Sequence, residues 1–145
     1  MVYFPHRLEG SLKNFGQDHR EVVALYLFGS EATGRTGPLS DLDLAVLLDE
    51  SKVKPRRRLD AQLNLLAETM RASGRFDVDL VLLNEATPLL AYEVVRSGRL
   101  LFERDRQKRI TFEANAVCRY LDLEPFYQVS RKYLKRQLLH PKTHG

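Results

Sequence analysis

The segment DLDLAVLLD, residues 41–49, constrains this chain more than any other. It has the length and apolar content of a buried strand, yet it carries two carboxylates at its mouth. Side chains alternate along a strand, so Asp41, Asp43, Ala45 and Leu47 share one face and Leu42, Leu44, Val46 and Leu48 the other. Asp41 and Asp43 then project from the same face, roughly 6–7 Å apart at the backbone. Carboxylates this close repel each other unless a cation or a proton sits between them. Capping a strand beside a serine accounts for one solvated Asp. It accounts poorly for Asp43, which lies within the apolar run.

Around this segment the chain reads as alternating strands and helices. EVVALYLF (21–28) is rich in β-branched and aromatic residues and ends at a glycine, as a strand does. FDVDLVLLN (76–84) predicts a third strand and RLLFE (99–103) a short edge strand. An opening helix is expected over 4–19, limited by Pro5 and Gly16. From Pro55 to Ser73, Leu59, Leu63, Leu66 and Met70 recur at helical spacing. Pro55 suits the first turn of that helix and Gly74 its end. A helix is expected from Pro88 to Arg96. Ile110, Ala114, Val117 and Leu121 mark another, and a basic amphipathic helix runs from Glu124 to Leu139. The expected class is α+β, a small mixed sheet with helices packed on one side.

The 145 residues suit one domain, 1–145, with the C-terminal helices of about 105–139 as a partner-docking extension. No apolar stretch approaches bilayer length, so no membrane partner is expected. MVYFPHRLEG lacks a signal-peptide core, which points to the cytoplasm. The single Cys118 excludes an internal disulfide, and the scattered His6, His19, His140 and His144 show no zinc-site spacing. A net charge of +4 favours anionic partners weakly. No nucleic-acid-reading motif accompanies the basic runs, so nucleic acid is not the expected partner.

Between the first two strands the loop reads as a phosphate cradle. Gly29 permits a sharp turn and a close backbone approach. Ser30 opens a short helical stretch whose free N–H groups and hydroxyl suit phosphate oxygens. Gly34 and Gly37 let the chain return. A third carboxylate, Asp79, lies inside the third strand. If that strand is a neighbour, Asp79 faces Asp41 and Asp43 across the sheet. A pair of Mg²⁺ ions, about 3.5–4 Å apart, would relieve the repulsion of such a group. Magnesium takes one or two carboxylates together with substrate phosphates.

Gly29-Ser30, ten residues, then Asp41-x-Asp43 resembles the signature of the DNA polymerase beta-like nucleotidyltransferase superfamily. The short chain and SDLDLAVLLDE resemble its minimal members, the MntA-like antitoxins that pair with HEPN-domain toxins. VDLVLLNEATPLLAYEVVRSGRLLFERD (78–105) and RYLDLEPFY (119–127) extend the resemblance over nearly the whole chain. It implies Mg²⁺-dependent transfer of AMP from ATP to a tyrosine of a partner toxin, an RNase that the modification silences. Gly29 and Ser30 would hold the triphosphate. Asp41, Asp43 and Asp79 would bind two Mg²⁺ ions, and Asp79 would help deprotonate the acceptor.

The rival reading keeps the fold and neutralises a toxin by complex formation alone. Its basis is Glu31, a carboxylate beside the triphosphate turn, which would have to point away or pair with Arg35. Asp77 stands at the strand entrance behind Arg75 and is expected in an exposed salt bridge. Cys118 is expected on a buried helix face. Tyr120, Phe126, Tyr127 and Tyr133 are expected in the core or in subunit contacts. Arg119, Arg131 and Lys132 beside them make the C-terminal region the candidate toxin-docking surface. Assembly is expected, as a hetero-oligomer or a homodimer.

Overall fold

The computed structural model describes residues 6–29 and 41–139. They form α1 (His6–Asp18), β1 (Val22–Phe28), β2 (Leu42–Leu48), α2 (Arg58–Ser73), β3 (Val78–Leu82), α3 (Pro88–Ser97), β4 (Arg99–Glu103) and α4 (Arg106–Leu139). Short 3-10 turns, Pro55–Arg57 and Leu83–Glu85, precede α2 and follow β3. The strands lie in the order β3-β2-β1-β4. β2 pairs with β3 in parallel, and β1 pairs antiparallel with both β2 and β4. The expected α+β class and mixed sheet are present.

The helices cover both faces of the sheet rather than the one side expected from the sequence. On the first face Leu25 and Leu27 of β1 and Leu42, Leu44 and Val46 of β2 pack under α1 and α2, against Leu12, Phe15 and Leu65. On the second, Ala24, Tyr26, Ala45 and Leu47 pack with Val94 of α3 and Phe112 of α4. The reason lies in the central strands. Both sides of β1 and β2 are apolar, and an apolar face left to water forfeits its burial energy. A register shift between Val22 and Ala24 puts consecutive residues Val23 and Ala24 on the second face, as a bulge does.

Two expected helix stripes meet the core only in part. In α2, Leu66 and Met70 of the expected stripe pack against it, but Leu59 and Leu63 are 65% and 56% exposed, and the fully buried residues are Leu65 and Thr69. Thr69 can be buried because its hydroxyl donates to Leu66 O at 2.8 Å. Gly74, at φ 68°, closes the helix with its amide on Met70 O. In α4 the buried residues are Ala116 and Tyr120, with Phe112 packed beside them, while Ile110 and Leu121 are exposed. Tyr120 stacks on Tyr92 of α3, ring centroids 3.8 Å apart, and the Tyr26 hydroxyl donates to Glu113 at 2.6 Å. Burial and the Glu113 carboxylate push the Tyr26 pKa up, so it stays a donor. These contacts fix the roll of α4. They also leave Cys118 exposed, against the expectation of a buried thiol.

The two C-terminal helices expected from the sequence are one helix of 34 residues, about 51 Å long. Pro125 sits inside it. Proline removes one helical N–H, which breaks many helices. Here it falls at an exposed position, where water can satisfy the freed carbonyl.

Side chains tie the loose ends of the sheet. The Asn84 amide donates to Leu48 O at 3.0 Å and accepts from Leu48 N at 2.8 Å, extending the β2–β3 ladder past the end of β3. The Arg104 guanidinium donates to Gly16 O and Gln17 O at the end of α1 and to Val22 O at the start of β1, tying the two together. At the end of β2, Asp49 accepts from Ser51 N and the Ser51 hydroxyl, and from Lys108 Nζ of α4 at 2.9 Å.

Those bonds, the Ser51 hydroxyl foremost and then Lys108, hold the Asp49 pKa down at about 2. A carboxyl with a lowered folded pKa contributes stability above its unfolded value, about 3.9, and loses it as pH falls through the folded value. Stability measured by urea midpoint is therefore expected to fall between about pH 4 and 2 in part through Asp49. Ser51→Ala combined with Lys108→Met should flatten that acid limb. An acid limb identical to wild type would remove Asp49 from it.

Candidate active site

The parallel β2–β3 register sets the site. Leu42 pairs with Val78, Asp43 with Asp79 and Leu44 with Leu80, and Leu42 N donates to Asp77 O at 2.8 Å. Paired residues on neighbouring strands point to the same side, so Asp43 and Asp79 stand side by side, one strand spacing of about 4.8 Å apart. Asp43 is half-buried and Asp79, on the edge strand, is exposed. On the other flank Phe28 of β1 pairs with Asp43, which completes a row Phe28, Asp43, Asp79 across the sheet. Further along the same face, Ala45 and Val81 enter the apolar cluster with Leu90 and Val94 of α3.

Gly29 follows Phe28 with φ 74°. A Cβ built there would overlap Asp43 Oδ2 and stand 3.1 Å from Asp43 Cγ. The chain leaving β1 thus turns directly over the Asp43 carboxylate, and only glycine allows both the backbone conformation and the approach. The sequence pointed to a tight turn at Gly29 but not to its contact with Asp43, for which no local signal exists. Phe28 was likewise missed as the apolar wall of the row.

Asp41 is exposed and immediately precedes the first residue of β2. Among the described residues no three His, Cys, Asp or Glu side chains are gathered closely enough to hold a metal ion by themselves. The structure therefore joins Asp43 to Asp79 and leaves Asp41 at the rim, rather than closing a three-carboxylate cage. Asp77 forms the expected salt bridge with Arg75, whose Nε donates to Oδ1 at 2.9 Å and whose guanidinium lowers the Asp77 pKa. Ser30, Glu31, Gly34, Arg35 and Gly37 lie outside the described residues.

Two hard anionic donors beneath a glycine turn suit a hard cation that shares its coordination with phosphate oxygens. A separate cavity of about 760 Å³ opens on the same face beside Leu47, Asp49 and Phe112. Six residues separate Asp43 from Asp49, roughly 20 Å along a strand, so this cavity lies at the other end of β2.

Residues 10–107 match the family described as Polymerase beta, Nucleotidyltransferase. The chain belongs to that family. A curated relative, the protein adenylyltransferase MntA of Aphanizomenon flos-aquae (strain 2012/KM1/D3), is 38% identical over 84 residues. The match takes in 54% of this chain and 55% of the relative, so it spans about half the length of each. A chain in the crystal structure of a toxin-antitoxin with AMP-PNP superposes with a TM-score of 0.72 at 26% identity, over 88% of this chain and 98% of that one. A chain in the complex of tri-AMPylated Shewanella oneidensis HEPN toxin with MNT antitoxin gives 0.67 at 25% identity, over 88% and 96%. No helix among the described residues is long and apolar enough to cross a membrane.

Two glycines of this nucleotidyltransferase separate strain from site chemistry. Gly74 has a φ of 68°, but a Cβ there meets nothing within 4 Å. Gly29→Ala and Gly74→Ala should each cost about 1–2 kcal/mol of stability through the left-handed backbone. Gly29→Ala should also displace the Asp43 carboxylate and weaken nucleotide binding about tenfold or more, a loss of at least about 1.4 kcal/mol. Calorimetric titration of both variants checks this. Equal affinities would detach Gly29 from the site.

Proposed function

We propose that this chain is a Mg²⁺-dependent protein adenylyltransferase that transfers AMP from ATP to a tyrosine of a HEPN-domain toxin and silences it. The observation that carries this reading is the in-register pair Asp43 and Asp79 beneath the Gly29 turn. It is supported by a relative named a protein adenylyltransferase, and by similar chains in structures with AMP-PNP and with an AMPylated toxin.

The acceptor hydroxyl oxygen forms a bond to the α-phosphorus of ATP. The bond from that phosphorus to the bridging oxygen breaks, and pyrophosphate leaves. Asp79, exposed on the edge strand, receives the hydroxyl proton and passes it to solvent. Asp43, with Asp79 beside it and Asp41 at the rim, would offer carboxylate oxygens to two Mg²⁺ ions that share their coordination with the triphosphate. When bound there, Mg²⁺ would neutralise charge on the transferring phosphoryl group and help orient the attacking and leaving oxygens. Gly29 and Ser30 hold the triphosphate, the first by bringing backbone close and the second through its hydroxyl. The α4 helix, residues 106–139, is the docking extension of this single domain.

Incubation with ATP labelled at the α-phosphate, Mg²⁺ and the HEPN partner should place label on the toxin. Asp41→Asn with Asp43→Asn should reduce labelling by at least about a thousandfold, roughly 4 kcal/mol of transition-state stabilisation, without unfolding the chain. Labelling that survives the double substitution sinks the metal assignment. A wild-type chain that binds and silences the toxin without labelling it would make this a binding antitoxin instead.

A further inference from the structure

The end of the sheet opposite Asp43 carries positive charge that the fold leaves largely unmatched. β1 starts there and β2 finishes there, joined by Asp49 N donating to Glu21 O at 2.8 Å. The turn Pro55–Arg57, which opens α2, stands beside them. These segments surround a cleft of about 670 Å³. Arg20 comes from the turn before β1, Lys52 and Lys54 from the loop after β2, and Arg56 and Arg57 from the turn into α2. Against these cations the cleft sets two acids, Glu21 and Asp60.

The basic run 56–58 divides at this cleft. Arg58 is mostly buried and lies 3.7 Å from Glu50 and 3.9 Å from Glu85, so its charge is matched inside the domain. Arg57 reaches Asp60 only at 3.8 Å, with both side chains well exposed. Lys52 donates to Arg20 O at 3.3 Å, a neutral carbonyl. Arg20, Lys54 and Arg56 have no ion pair or side-chain hydrogen bond among the described residues. By contrast Arg71, Arg96, Arg99 and Arg109 are each matched to a glutamate. Like charges gathered round one concavity repel. Arg56 and Arg57 also stand at the positive end of the α2 dipole, where a cation is unfavourable. An anion in the cleft removes both penalties.

The lining selects the anion. Val53 is buried beneath it, Ala61 and Asn64 complete it, and no aromatic side chain lines it. A protein partner is held by apolar or aromatic anchors, and a membrane surface by apolar side chains that insert. The cleft offers neither. A phosphodiester strand needs only cations along its path. With no ring on which to stack a base, recognition is of the backbone and blind to sequence, so it requires no base-reading motif. A concavity of this kind admits a single strand.

We propose that the cleft among Arg20, Lys52, Lys54, Arg56 and Arg57 binds the phosphodiester backbone of a single-stranded nucleic acid. Val22 at this end of β1 pairs with Leu48, and Phe28 at the other end pairs with Asp43. The cleft is therefore roughly 20 Å along the strand from the candidate active site. The proposal does not rest on AMP transfer.

Fluorescence anisotropy with the full chain and a labelled oligouridylate of about ten nucleotides tests it. At about 50 mM salt a Kd of roughly 1–100 µM is expected. The logarithm of affinity should fall against the logarithm of salt with a slope of about −2 to −3.5, the value for roughly three to five phosphates neutralised on a single strand. Lys54→Gln with Arg56→Gln removes two exposed, unpaired charges. It should weaken binding about tenfold or more and make the slope shallower by about 1.4, at an unchanged melting temperature. Lys132→Gln with Arg136→Gln lowers the net charge equally on the outer part of α4 and should leave affinity within about twofold. An oligothymidylate of the same length separates the two sources of such a strand, and whichever binds tighter is the ligand. No binding at about 100 µM protein, equal losses in the two double variants, or displacement by polyglutamate or ATP at matched charge overturns the proposal.

Discussion

Two carboxylates held one strand spacing apart are a standing electrostatic cost, and the fold meets it with apolar packing on the opposite face. Asp43 and Asp79 stay paired because Leu42, Leu44 and Val46 of β2 and Val78, Leu80 and Leu82 of β3 are locked together under α1 and α2. A slip of one residue in either strand would turn those leucines and valines to the other side and drive its Asp into the core. The position of the acids is therefore set by burial energy on the face they do not occupy. That energy, about 1.5–3 kcal/mol for each fully buried side chain of this size, far outweighs a repulsion softened by solvent. Gly29 adds the last constraint, a backbone turn that only a residue without Cβ can make over Asp43.

How much of this was legible in the sequence depended on the range of the interaction. Alternation in DLDLAVLLD and VDLVL is local, and it gave the faces of Asp43 and Asp79 correctly. That the two strands are neighbours, in parallel and in that register, is a long-range fact that alternation does not contain; it came only with the pairing. Helix roll behaved similarly. The stripes Leu59-Leu63 and Ile110-Leu121 are real periodicities, but the core took Leu65 and Thr69 in one helix and Ala116 and Tyr120 in the other. Tyr92 and Glu113 made that choice in α4, through a ring stack and a hydrogen bond with partners distant in sequence. One-sided helix packing failed for a related reason. β1 and β2 are apolar on both faces, a pattern that demands cover twice.

The misplaced stripes are themselves informative. An amphipathic helix whose predicted apolar face stays in water has either been misread or has a surface that its own domain does not cover. In α4 both apply. Phe112, Ala116 and Tyr120 form the face that packs on the domain, while Phe126, Val129 and Tyr133 farther along the helix are exposed. Exposed apolar surface of this extent is an aggregation hazard in a monomer and is ordinarily an interface.

The two ends of β2 consequently answer to different demands. At the mouth the acids stand open, with Asp79 exposed on the edge strand and Asp41 exposed at the rim, which is the access that the proposed transfer to another protein would use. At the far end, Asp49 is closed into bonds with Ser51 and Lys108, which clamp the start of α4 to the sheet and so aim the rest of the helix. A clamp at that point makes the direction of a long helix a property of the domain rather than of the loop before it. Separating the two ends by the length of one strand keeps the start of α4 clear of the acids. Had the helix left the sheet at the mouth instead, it would have stood over the opening beside Asp43 and Asp79.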